Sequence, residues 1–513
     1  MCILNTMKTL AFFAALLITL GACTSTPQPS PFAVKTASGW IKGEPNADST
    51  VTIYKGVPFA APPVGDLRWK EPQPLTPWTD TLLCTKFGAS PVQSNPVPFM
   101  MWTQEFITPA EPISEDCLYL NVWTPKQSDT DKLPVLVWIH GGGFISGSAA
   151  CPVYDGEALA KMGIVYVSIN YRLGVFGFTA HEQLTKESPH HASGNYAMLD
   201  QVAALQWVRD NIASFGGDPN KVTIAGQSAG SMAVQALVGS PLTQGLFVGA
   251  IAESGGLGSR PVSTLADAEK IGQSLSPDIA LLRALPADTV LARASKLPFG
   301  TFSPMVDGYF LPEDPKSIFT NGKENQVNVI TGWVTGDADL VSRPQSQKEF
   351  REILAKTFPG KEEAANKLFP SGNDESWKAS QQKLALLQFA GAPGALWAAS
   401  NRSKTYMYQY SYVPTDKPGF PNYGAFHTSE VPFALHTLAH WDRPWTQADL
   451  EVEKYMSAYW VNFVKTGNPN GAGLPEWPAY DRTSANIIDF NGKPTLTPGL
   501  YQEELEFIRT SAR

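Results

Sequence analysis

The chain has 513 residues, 43% of them hydrophobic and 17% charged, with a formal net charge of −8 at neutral pH. Such a composition excludes a disordered or fibrous chain and supplies enough apolar side chains for a large core. With no long basic run to offset the acidic balance, nucleic acid is excluded as the expected partner.

The first thirty residues differ from all that follow. Lys8 precedes an apolar stretch from Leu10 to Leu20, after which small residues lead into a Ser/Thr/Pro-rich segment. A run of roughly ten apolar residues is too short for a bilayer, which needs about twenty, and fits the core of a signal peptide. It ends in Leu20-Gly21-Ala22-Cys23, which resembles the bacterial lipobox, so Cys23 is a candidate lipidation site; cleavage after an ordinary small residue is the alternative. Residues 1–23 are thus expected to be a signal peptide, 24–31 a flexible tether, and 32–513 one domain. The expected location is outside the cytoplasm: periplasmic, anchored in the outer membrane through a lipidated Cys23, or extracellular. In an exported chain Cys84, Cys117 and Cys151 remain, and a Cys84–Cys117 disulfide with Cys151 free is a candidate arrangement.

From Phe32 to Phe59 apolar and polar residues alternate around Gly39, Gly43 and Gly56, as in short antiparallel strands. The pattern then changes. Val135–Ile139, Ile164–Ile169 and Val222–Ala225 are continuous apolar runs, the mark of strands buried on both faces. Helical spacing occupies 156–161, 196–212 and 231–238. Further strands are expected at 250–252, 327–331 and 406–412, and a last helix at about 450–465. Alternation of this kind implies an α/β fold with a mostly parallel, doubly wound sheet.

Chemistry concentrates where these strands end. Gly226-Gln227-Ser228-Ala229-Gly230 lies between a buried strand and a helix, the setting of a nucleophile elbow in which a strained turn projects the serine hydroxyl. A strand-to-helix turn with a capping serine is the bland alternative. Upstream, His140-Gly141-Gly142-Gly143-Phe144 follows the strand 135–139, and its glycines leave N–H groups accessible. The amides of Gly142, Gly143 and Ala229 are candidates for an oxyanion hole. A phosphate loop is disfavoured, because Phe144-Ile145-Ser146 supplies no Gly-Lys-Ser/Thr ending.

In an α/β-hydrolase the order is serine, acid, histidine. Beyond a plausible acid only His427, His436 and His440 remain. His427 follows a glycine- and aromatic-rich loop and is preferred as general base. His436 and His440 fall in an expected helix, and without an acidic third ligand their spacing of four does not make a metal site. For the acid, Asp337 in Gly336-Asp337-Ala338-Asp339 is preferred over Asp339. The aromatic and methionine-rich segment Asn95–Pro112 either borders the substrate entrance or packs over the sheet.

Several segments together resemble the type B carboxylesterases, which include bacterial para-nitrobenzyl esterases and, more distantly, cholinesterases. They are Tyr54-Lys55-Gly56-Val57-Pro58-Phe59-Ala60, Glu115-Asp116-Cys117-Leu118-Tyr119-Leu120-Asn121-Val122-Trp123, the His140–Phe144 segment, Asn170-Tyr171-Arg172-Leu173-Gly174, Phe215-Gly216-Gly217-Asp218-Pro219 and Gly424-Ala425-Phe426-His427. Asn462-Phe463-Val464-Lys465-Thr466-Gly467-Asn468-Pro469 completes the set, which spans nearly the whole chain. The resemblance implies an α/β-hydrolase fold, a Ser228–His427–Asp337 triad, the same three oxyanion-hole amides, a small-molecule ester substrate and no cofactor or metal. It also implies ion pairs of Arg68 with Glu115 and of Arg172 with Asp200.

Three departures stand out. Gln227 occupies a position where the family usually has glutamate, Asp337 is one methylene shorter than the usual acid, and Cys84 lies earlier than the family's first disulfide cysteine. The same scaffold serves amidases, feruloyl and tannin esterases and polyester hydrolases, as well as adhesion proteins that have lost the nucleophile; here all three triad positions are filled. Acyl and alcohol preference, and oligomeric state, have no legible signal.

Overall fold

A computed structural model describes residues 32–258, 262–340 and 344–511. The expected signal peptide (1–23), the expected tether (24–31) and Cys23 lie outside these residues. Eleven strands form the main sheet: β1 (Glu44–Pro45), β2 (Thr52–Pro58), β3 (Tyr119–Thr124), β4 (Leu133–Ile139), β5 (Val165–Ile169), β6 (Gly217–Gln227), β7 (Gly249–Glu253), β8 (Asn328–Val334), β9 (Thr405–Tyr410), β10 (Asn486–Phe490) and β11 (Thr495–Pro498). Their spatial order is β1-β2-β3-β5-β4-β6-β7-β8-β9-β10-β11. The centre from β5 to β10 is parallel, while β1–β2, β2–β3, β3–β5 and β10–β11 pair antiparallel. The sheet is therefore mixed, with antiparallel margins around a parallel core.

The apolar runs explain that centre. Val135, Val137 and Ile139 enter one core cluster while Leu136 and Trp138 enter another, so both faces of β4 are covered. Each such side chain contributes roughly 2 kcal/mol by leaving water. Ala229–Gly239 packs on β6 and β7, and the helix Gln447–Thr466 packs on β4 and β6. Parallel strands send all their carboxyl ends to one edge, where open α/β sheets place ligands. The loops carrying residues 140, 228, 254 and 337 consequently meet there.

The expected helix carrying His436 and His440 takes another form. His436 lies in a turn with φ +58° after the short helix Val431–Ala434, and His440 ends a separate 3-10 turn, Leu438–His440. The candidate Cys84–Cys117 bridge is absent: Cys84, Cys117 and Cys151 are buried free thiols. Cys84 is fixed in strand-like pairing with Lys42 and Lys55, whereas Cys117 is buried near the charges of Arg172 and Asp200. Burial pushes the Cys84 thiol up to about 12. Both implied ion pairs are present. Arg68 Nε meets Glu115 at 2.6 Å, and Arg172 grips Asp200 at 2.6 and 2.8 Å with both partners almost wholly buried.

Candidate active site

Ser228 sits between β6 and its following helix at φ +58°, ψ −120°, a conformation that non-glycine residues rarely adopt. The turn is held by the Ser228 N–H, which donates to Glu253 O at 2.9 Å, and by Met232, whose N–H donates to Ser228 O at 3.0 Å. Gly230 lets the helix approach closely, because a Cβ there would lie 2.1 Å from Ile139 O. The strain is thus imposed by strand and helix contacts on either side of the serine.

The glycine loop follows β4, the neighbour of β6. Gly142, Gly143 and Phe144 all have positive φ, at +109°, +64° and +62°. The loop is tied off by Ile145 and Ser146, whose N–H groups donate to Gly142 O, and by a reciprocal pair of 2.9 Å bonds between Gln93 and Gly147. At its root, Tyr171 donates to His140 O at 2.7 Å and stacks on the imidazole. Burial pushes His140 down to about 4, so its ring is neutral at physiological pH.

Asp337 and His427 come from different strand ends and are stitched together. Gly336 bridges Phe426 in parallel, with its N–H donating to Ala425 O at 2.9 Å. A Cβ on Gly336 would lie 2.2 Å from that same oxygen. This close approach brings the Asp337 and His427 loops against each other. His427 Nδ1–H donates to Asp337 Oδ1 at 2.6 Å, and Asp337 Oδ2 accepts the Val334 N–H at 3.0 Å. Both side chains are buried, whereas Asp339 is exposed. Gln227 Nε2 lies 3.3 Å from His427 Nε2 and 3.5 Å from its Nδ1, and the Phe389 ring stands T-shaped to the imidazole with centroids 5.7 Å apart. The Asn95–Pro112 loop reaches this point as well: Trp102 Nε1–H donates to Thr428 Oγ1 at 2.8 Å, one residue from His427.

Sequence reading missed a pair of acids beneath these groups. Glu253 and Glu430 are fully buried; Trp460 Nε1–H donates to one at 2.7 Å and Ser254 Oγ–H to the other at 2.6 Å. Burial pushes Glu253 up to about 8, and burial with the nearby Asp337 charge pushes Glu430 well above the carboxylate range. Glu253 is therefore largely protonated at neutral pH. Among the described residues no cluster of three or more His, Cys, Asp or Glu could hold a metal ion.

Residues 30–508 match the carboxylesterase family model. Fumonisin B1 esterase of Sphingopyxis macrogoltabida is 35% identical over 485 residues, 91% of this chain and 87% of its own length. Liver carboxylesterase 1 of Oryctolagus cuniculus is 34% identical over 527 residues, 91% of each chain. A solved PNB esterase superposes with a TM-score of 0.81 at 30% identity, covering 93% of this chain and 99% of that one. The chain belongs to the carboxylesterase family and is a carboxylic ester hydrolase with the α/β-hydrolase fold.

Proposed function

We propose that ester hydrolysis proceeds through an acyl-enzyme on Ser228, with His427 as general base and Asp337 as its orienting acid. The 2.6 Å His427–Asp337 bond beside the strained Ser228 turn carries this reading. The bond places the imidazole proton on Nδ1 and leaves Nε2 as the acceptor for the serine proton. Attack on the carbonyl forms a tetrahedral intermediate whose oxyanion faces the amides of Gly142, Gly143 and Ala229, each donor lowering the barrier by roughly 3 kcal/mol. His427 then returns the proton to the departing alkoxide. A water activated by the same nitrogen releases the carboxylate.

The test is hydrolysis of p-nitrophenyl acetate and butyrate by the purified chain and by Ser228→Ala. Turnover by the wild type with a loss of several orders of magnitude in the variant is expected; equal rates would refute Ser228 as nucleophile.

Residues 8–23 support export through a signal peptide and tethering by lipid on Cys23. Labelled fatty acid should enter the wild-type chain in a bacterial host and be lost in Cys23→Ser. Unchanged labelling would refute the anchor.

A further inference from the structure

His427 lies in a tight turn in which the Ser429 N–H donates to Phe426 O at 2.9 Å and the Val431 N–H donates to Thr428 O at 3.1 Å. Thr428, third in that turn, has φ +80°. A third position with positive φ is where such turns take glycine, because a β-branched side chain crowds the backbone there. Glycine would relax the turn, and valine would fill the same volume as threonine. Only threonine of these offers a hydroxyl, and that hydroxyl accepts the Trp102 Nε1–H at 2.8 Å.

The donor is itself fixed. Phe99 and Trp102 exchange backbone hydrogen bonds of 3.1 and 3.0 Å around Met100, which has φ +50°, and Met101 is buried in the core. Further along the same loop, the Phe106 ring packs T-shaped on Phe426 and on Trp441, with centroids 6.5 and 5.1 Å apart, and Glu105 Oε1 accepts the Asp442 N–H at 3.3 Å. One loop thus grips both chain neighbours of His427, Phe426 through a ring and Thr428 through a hydrogen bond. Its outer tip, Phe99 and Met100, is more than half exposed, so the grip comes from the loop's inner side.

We propose that Trp102 is a positioning residue whose bond to Thr428 offsets the strain of the turn and holds the His427 imidazole in the orientation set by Asp337. This rests on His427 being the general base. Trp102 acts through the histidine turn and not on the ester, so its loss weakens every step that moves a proton through His427. Acylation and deacylation both do so, and when both slow together kcat falls while KM stays where it was. A side chain that touched the substrate would shift KM, by an amount that depends on the acyl or alcohol group.

The test measures kcat and KM for p-nitrophenyl butyrate, and kcat/KM for methyl, butyl and benzyl butyrate, in the wild type, Trp102→Phe, Thr428→Val, Thr428→Ser and the double variant Trp102→Phe with Thr428→Val. Active sites are counted by titration with diethyl p-nitrophenyl phosphate. Trp102→Phe and Thr428→Val should each lower kcat about tenfold with KM within about twofold of wild type, and the double variant should fall no further than either alone, since all three remove one bond. Thr428→Ser, which keeps the hydroxyl, should keep most of the wild-type rate, and the loss in the other variants should be the same factor for all three alcohols. Should Trp102→Phe fail to fold, the contrast between Thr428→Val and Thr428→Ser still reads the hydroxyl. Additive losses in the double variant, a loss that varies with the alcohol, or full activity in Thr428→Val overturns the proposal. Failure of the general-base reading looks different, because His427→Ala would then retain wild-type turnover.

Discussion

Replacing Glu253 by glutamine should change how stability depends on pH. In the fold the carboxyl is buried, accepts one N–H from Trp460, and is pushed from an ordinary 4.5 up to about 8. Between these values the native chain keeps a proton that the unfolded chain has released. Stability therefore declines as pH rises through that window, by about 1.4 kcal/mol for each pH unit per group. From pH 5 to pH 8 this amounts to about 4 kcal/mol at most for the one group. Glutamine cannot ionise and is nearly the same shape. Glu253→Gln should match the wild type at pH 5 and exceed it by several kcal/mol at pH 8. Urea unfolding followed by circular dichroism at pH 5, 6, 7 and 8 reads this directly. Parallel pH dependences for the two proteins would refute the reading of Glu253 as a buried acid that keeps its proton in the fold.

Gly336→Ala should force Ala425 O away and displace Asp337 from His427, lowering kcat/KM about a hundredfold while leaving the far-ultraviolet spectrum intact; unaltered kinetics would remove the argument for close approach. Gln227→Glu would set a carboxylate where the amide now lies 3.3 Å from His427 Nε2, favouring the imidazolium, so the acid limb of kcat/KM should move to higher pH. An unmoved or lowered limb in the pH–rate profile would contradict that placement. Arg172→Ala strands Asp200, which is fully buried, and should cost about 3–5 kcal/mol in chemical denaturation, whereas Arg172→Met with Asp200→Leu should cost much less. Equal losses would deny that the unpaired charge is what matters.

Much of the site was legible because its residues stand at the ends of strands that are themselves conspicuous. The runs 135–139, 164–169 and 222–225 are apolar without alternation, which only burial on both faces requires, and the observed β4, β5 and β6 contain nearly all of them. Once the strands are placed, residues 140–144, 228 and 337 fall at one edge. The Glu253–Glu430 pair was not legible. A glutamate after Ala250-Ile251-Ala252 reads as a strand reaching solvent, and only the fold shows that Trp460 covers it. Cysteine spacing misled, since it cannot tell a strand-bound Cys84 from a Cys117 beside an ion pair. The helix assumed for His436 and His440 failed where His436 breaks it with a positive φ.

The most direct test of the central claim is covalent labelling with diethyl p-nitrophenyl phosphate followed by peptide mass mapping. One equivalent of p-nitrophenol, one diethylphosphoryl group on Ser228 and complete loss of ester hydrolysis are expected. A label on any other residue, or hydrolysis that continues after Ser228 is fully modified, would contradict the account.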